Sequence, residues 1–286
     1  MSVRWRVIAD HQGEVTEHPV WDDRADCLYW VDSLAGLVYR WTAADGHRRW
    51  WRSFGTVGCV VLRERGGLAV AADDRIHFLD PSGAENRPPL EIGAVPAGAR
   101  FNDGAVDPAG RFLVGTTSGS DAADAGAVLL SIDGAGRTRL VRTGLRESNG
   151  IGWSPDGRTM YHVDSDGAGL TRAAYVPRSG SIGTPIGCPV EVVAPEVLDG
   201  LAVATDGSVW VAVWQGGRVL RISPDGELLA TLDVPVPNPT CMTFGGPAAR
   251  TAFLASARFG VDPAPFGGVM ATEMLTGGVP PHRFAG

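Results

Sequence analysis

The sequence predicts an all-β chain folded as a single six-bladed β-propeller over residues 1–286, with four-stranded antiparallel blades. Three observations predict it. A short strand-like run bounded by turn residues recurs six times. The repeat length of roughly 40–50 residues is that of a propeller blade rather than of a helical solenoid unit. No segment shows the 3.6-residue period of an amphipathic helix, and 39 glycines with 20 prolines would interrupt a long one.

The best-defined member of each repeat is an alternating or continuous apolar run at 27–33, 67–73, 111–117, 159–165, 208–214 and 251–257. Each is rich in β-branched or aromatic residues and flanked by Gly, Asp or Pro, as strands are. A second run follows each after a short gap, at 37–41, 75–79, 127–132, 170–175, 218–222 and 268–272. A third precedes the turn, at 19–21, 59–62, 104–106, 150–153, 201–203 and 242–244. Residues 3–8 (VRWRVI) are expected to lend an outer strand to the sixth blade and close the ring. The stretch 177–189 reads as a surface excursion within the fourth blade.

Composition bounds the function. The chain is 44% hydrophobic and 20% charged, with net charge −7, which disfavours nucleic acid and anionic membranes as partners. All 25 basic residues are arginine, a bias that GC-rich codons explain. The four cysteines, Cys27, Cys59, Cys188 and Cys241, form no C-x-x-C pair and are expected to be free thiols, mostly buried. The first ten residues lack a signal-peptide core, and no apolar run nears the ~18 residues of a membrane span. A cytoplasmic protein, monomer or homodimer, is the expectation.

The polar residues in register carry the chemistry. The position six residues before each turn is Glu17, Gly58, Asn102, Asn149, Asp199 and Thr240. In a closed ring these lie at one height around the axis, where the innermost strands begin. Two carboxylates and two carboxamides converging there suit a hard divalent cation such as calcium, magnesium or manganese. The carboxylates alone would repel each other. The competing reading is turn chemistry, because Asp103-Gly104, Asn149-Gly150 and Asp199-Gly200 all resemble turn dipeptides.

The strings T-E-H-P-V-W at 16–21, R-F-N-D-G at 100–104, D-P-A-G at 107–110, S-N-G at 148–150, L-D-G-L at 198–201 and W-Q-G-G-R at 214–218 occur in this order. With them the whole chain resembles the gluconolactonase/regucalcin (senescence marker protein) family. The resemblance implies a six-bladed propeller with one divalent metal (Ca, Mg, Mn, Zn or Fe) held by Glu17, Asn149 and Asp199. It implies that Arg100 and Asn102 face the substrate, a small lactone, and that Asp199 is the general base. Two departures bear on substrate. His18 stands where the family has glycine, which makes it a candidate substrate contact or second-layer donor. The stretch 116–121 (TTSGSD) lacks the family's Met and following acid, leaving Asp121 or Asp124 to bind sugar hydroxyls, or neither.

His162, inside an apolar strand, reads as a satisfied core histidine, and Trp21, Trp153 and Trp214 read as packing between blades. Neither a G-x-S-x-G elbow nor a Gly-rich phosphate loop is present. Rival readings keep the scaffold: a calcium-binding protein without turnover, an enzyme acting on another ester or phosphoester, or a metal-free propeller of the strictosidine synthase type.

Overall fold

The computed structural model describes residues 3–53, 55–118, 126–260 and 266–286. Six sheets surround one axis. Their innermost strands are Thr16–Asp22, Val57–Leu62, Arg100–Val106, Ser148–Trp153, Val197–Val203 and Pro239–Gly245, each packed against the inner strands on either side. All ladders are antiparallel, as hairpin connections within a blade require. No α-helix occurs among the described residues, and no helix is long and apolar enough to cross a membrane.

Ring closure follows the expectation. Arg6–Asp10 pairs with Gly268–Glu273 as the outer strand of blade six, with Arg6 opposite Ala271 and Asp10 opposite Gly268. The strand begins three residues later than the apolar run suggested and extends to Asp10. The segment 177–189 is more than an excursion. It returns as Ser181–Ile182 and Ile186–Gly187, which both pair with Gly169–Val176 and complete the outer edge of blade four.

Apolar faces of neighbouring blades meet in the core. Phe78, Phe101, Phe112 and Phe284, all at most 1% exposed, join blades two and three. Trp21 stacks on Phe253 at 5.4 Å between blades one and six, and Trp210 meets Phe244 edge-on at 6.3 Å between five and six. Such pairs combine large buried area with ring electrostatics. Trp153 is buried against Tyr175, whereas Trp214 ends its strand half-buried. The cysteines are all free, and only Cys188 is not fully buried.

Residues 277–285 cross the face opposite the start of the inner strands. Thr205 N donates to Gly277 O, Val279 N to Val203 O, Phe284 N to Leu62 O and Ala285 N to Gly110 O, so the strap touches blades five, two and three. Arg283 adds ion pairs to Asp22 (2.7 Å) and Asp23 (2.5 Å) in blade one. Above the strap, a largely apolar cavity of about 130 Å³ runs up the axis from Pro281 and His282 to His18 and Asp103.

Candidate active site at the channel mouth

The six positions in register lie where every inner strand departs from regular pairing. The breaks fall between Glu17 and Val20, Val57 and Cys59, Phe101 and Gly104, Ser148 and Ile151, Leu198 and Leu201, and Pro239 and Cys241. A bulge re-aims a side chain at the cost of ladder hydrogen bonds. Here it repeats around the ring at one height. The glycines at and just after these positions are not turn glycines: Gly58, Gly104, Gly150 and Gly200 all lack positive φ. They are demanded by close approach. A Cβ on Gly58 would lie 2.6 Å from Asn102 O, on Gly150 2.6 Å from Leu201 N, and on Gly200 2.5 Å from Cys241 Cβ. Glycine is what lets one inner strand pack on the next.

Hydrogen bonds fix the amides. Asn102 Nδ2 donates to Asn149 Oδ1 and to Ser148 O, both at 3.2 Å. Asn149 Nδ2 donates to Ser165 Oγ at 2.9 Å, and that hydroxyl donates to Leu198 O at 2.6 Å. Asn149 therefore presents its carbonyl oxygen, not its NH2, toward Asn102. Arg100 reaches Phe101 O (3.3 Å) and Asn102 Oδ1 (3.4 Å), contacts long enough to leave most of its donor capacity unused.

The carboxylates are electrostatically strained. Burial pushes Glu17 up from 4.5 to about 8, with Asp103 and Glu147 adding repulsion and Arg100 opposing it. Burial also holds Asp199 well above the usual carboxylate range, reinforced by Glu17, Glu147 and Asp103. Two acids disposed to keep their protons at neutral pH, beside an oriented amide oxygen, form an all-oxygen donor set that fits a hard divalent cation. Among the described residues no three His, Cys, Asp or Glu side chains group closely enough to hold an ion by themselves. Any ion here would need the amide oxygens as well.

Of the residues singled out in the sequence, Glu17, Arg100, Asn102, Asn149 and Asp199 come together at this mouth. Asp121 and Asp124 lie outside the described residues. His18 turns below the ring: Nε2 donates to Val60 O at 2.8 Å, and Nδ1 meets Asp103 Oδ1 at 2.5 Å. Both ring nitrogens are taken, so neither is offered to a substrate. Its φ of +51° is a left-handed conformation that glycine adopts without cost. Asp103 also accepts from Gly104 N at 2.6 Å, bracing the bulge. Glu147 lies two residues before Asn149, off the register that the repeats share, so the sequence pattern does not mark it.

Residues 15–258 match the family described as SMP-30/Gluconolactonase/LRE-like region. The chain belongs to this family. It is 36% identical to a 6-deoxy-6-sulfogluconolactonase of Pseudomonas putida over 85% of this chain and 83% of that one. It is 32% identical to regucalcin of Danio rerio over 100% and 99% of the two chains. In fold it is similar to a structure titled as a calcium-binding protein, regucalcin, from Agrobacterium tumefaciens, with TM-score 0.89 and 24% identity over 99% of this chain and 97% of that one.

Within this family member a second constellation imitates a serine-hydrolase dyad. Ser148 Oγ lies 2.8 Å from His162 Nε2, and Arg142 Nη1 lies 2.7 Å from His162 Nδ1. Its polarity is reversed. A guanidinium can only donate, so Nδ1 accepts, Nε2 carries the proton, and the ring donates to the serine instead of accepting from it. Burial and Arg142 push His162 down to about 3, which keeps it neutral. The chain Arg142–His162–Ser148 thus anchors the strand that bears Asn149, and His162 is the satisfied core histidine the sequence suggested.

Proposed function

We propose that this chain is a metal-dependent hydrolase that opens a small sugar-derived lactone to the hydroxy acid. The observation that carries the reading is the pair of mutually repelling, desolvated carboxylates Glu17 and Asp199 beside the oriented Asn149 carbonyl, in a chain of the gluconolactonase-like family. The relatives' names supply the substrate class, a lactone in the Pseudomonas putida protein, and the calcium-binding title supports a divalent ion.

Glu17, Asn149 and Asp199 would hold the ion. Bound there, a divalent cation supplies Lewis acidity toward the lactone carbonyl and offsets the carboxylate charge. Asp199 takes the proton of the attacking water as its oxygen bonds to the carbonyl carbon. The ring C–O bond then breaks, and the leaving oxygen takes that proton from Asp199, which regenerates the base. Arg100 and Asn102 orient the substrate: the guanidinium has free donors, and the Asn102 amide is fixed by Ser148 O and Asn149.

The test is hydrolysis of a panel of aldonolactones by chelator-treated protein, followed with a pH indicator before and after each divalent ion is returned. Activity restored by metal supports the reading. Tight metal binding with no turnover on any lactone would defeat it in favour of a calcium-binding protein.

A further inference from the structure

Glu147 is held more rigidly than a rim residue needs to be. Its N donates to Asp164 Oδ1 at 2.9 Å, its carbonyl accepts from Ser165 N at 3.1 Å, and its backbone bridges Thr117 in blade three. Thr117 is itself the cross-strand partner of Arg100. Arg100, Thr117 and Glu147 therefore form one transverse row across the seam between blades three and four, at the mouth. Ser148 and Asn149 beside it are buried, but Glu147 keeps solvent contact.

The row ends in a guanidinium and a carboxyl: burial pushes the Glu147 carboxyl up and the Arg100 charge opposes that, but the two form no ion pair. Among the described residues Arg100 forms no ion pair, and its two hydrogen bonds are long. Glu147 forms none either and accepts from the Thr117 side chain. A donor fork at the start of one inner strand and an acceptor on the bridge that precedes the next, with capacity left over, match two neighbouring hydroxyls of a polyol, one accepting from Arg100 and one donating to Glu147. An anionic substituent beside Glu147 would meet like charge. Among the described residues, Glu17, Asp103 and Glu147 all act on Asp199 by like charge, and Arg100 is the guanidinium that opposes this at Glu17 and Glu147. A divalent ion would still leave this group without net positive charge.

Resting on the lactonase reading, we infer that Glu147 is a specificity-determining residue that selects an uncharged, polyhydroxylated ring over lactones with an anionic group at the same end. The test is Glu147→Gln in metal-loaded protein, on a neutral aldonolactone, its 6-sulfo or 6-phospho counterpart, and unsubstituted δ-valerolactone. Loss of a hydrogen bond to a charged acceptor predicts a roughly ten- to hundredfold fall in kcat/KM on the neutral sugar lactone, borne by KM. δ-Valerolactone should change less than about twofold, and the anionic lactone should gain relative to the neutral one. Equal losses on all three substrates, or no loss on the sugar lactone, overturn the inference. If the wild type opens no lactone, the lactonase reading falls separately. Calorimetry with 1,5-anhydroglucitol then decides: binding weakened by Glu147→Gln supports the inference, and unchanged or absent binding overturns it.

Discussion

Acidification should drive a divalent ion out of the channel mouth, and the structure sets both the slope and the range. Glu17 holds its proton to about pH 8 in the metal-free protein, so below that pH a cation must displace a proton to bind. One proton displaced means a tenfold loss of affinity per pH unit, or roughly a hundredfold between pH 8 and pH 6. Asp199, held well above the usual range by the same burial, steepens the dependence toward two protons. Above about pH 8 the Glu17 contribution levels off. The metal-free fold moves the opposite way. A carboxyl whose folded value is raised contributes stability that is complete below its unfolded value of 4.5 and is lost as pH rises to about 8. That difference amounts to about 5 kcal/mol for a fully desolvated group, and roughly half of that for one that keeps some contact with channel water. Calcium or manganese titrations of chelator-treated protein at pH 6, 7, 8 and 9, at constant ionic strength, would give the slope. Thermal melts of the same samples would give the stability. A logarithm of affinity that stays flat from pH 6 to 8, or a Glu17→Gln variant with the wild-type slope, would refute the reasoning.

Other perturbations separate chemistry from scaffolding. Asp199→Asn keeps an oxygen ligand but removes the proton acceptor, so turnover should fall about a thousandfold or more while metal affinity falls far less; comparable losses in both would assign Asp199 to binding alone. His162→Phe strands the Ser148 hydroxyl and a half-buried guanidinium, which should cost about 2–4 kcal/mol, with His162→Gln restoring part of the Tm because it can accept from Arg142 and donate to Ser148. An unchanged Tm in His162→Phe would mean the relay does not support the strand. Arg283→Ala unties the strap from Asp22 and Asp23 and should cost about 1–3 kcal/mol with lactone kcat preserved; a loss of activity without loss of stability would show that the strap reaches the site.

Much of the site was legible because a propeller converts sequence period into spatial position. Once the repeat was found, residues one repeat apart had to share a height, and Glu17, Asn149 and Asp199 were placed together without coordinates. Residues off that register were not. Glu147 became visible only through its bridge to Thr117, a contact between two blades that has no counterpart in the spacing. His18 was open in the sequence to a substrate contact or a second-layer role, and its left-handed φ with the contact to Asp103 supports the latter. The glycines after Asn149 and Asp199 were open to two explanations, and the distances to the next inner strand decide for close packing. The outer edge of blade four was misread because Ser181–Ile182 and Ile186–Gly187 are two-residue strands, too short to show a period.

By itself the sequence determined the number of blades, the closure of the ring by its first strand and the chemical character of the mouth. Each of these depends on a pattern that repeats along the chain: alternation within strands, turn residues between them, and polar residues at one phase of the repeat. The tertiary structure alone decided which way the polar groups face and what they hold. Those outcomes depend on pairs distant in the chain, such as His162 with Arg142, Arg283 with Asp22, and Arg100 with Glu147 across Thr117. Hydrogen-bond direction and desolvation are properties of such pairs, so they have no expression in a one-dimensional pattern.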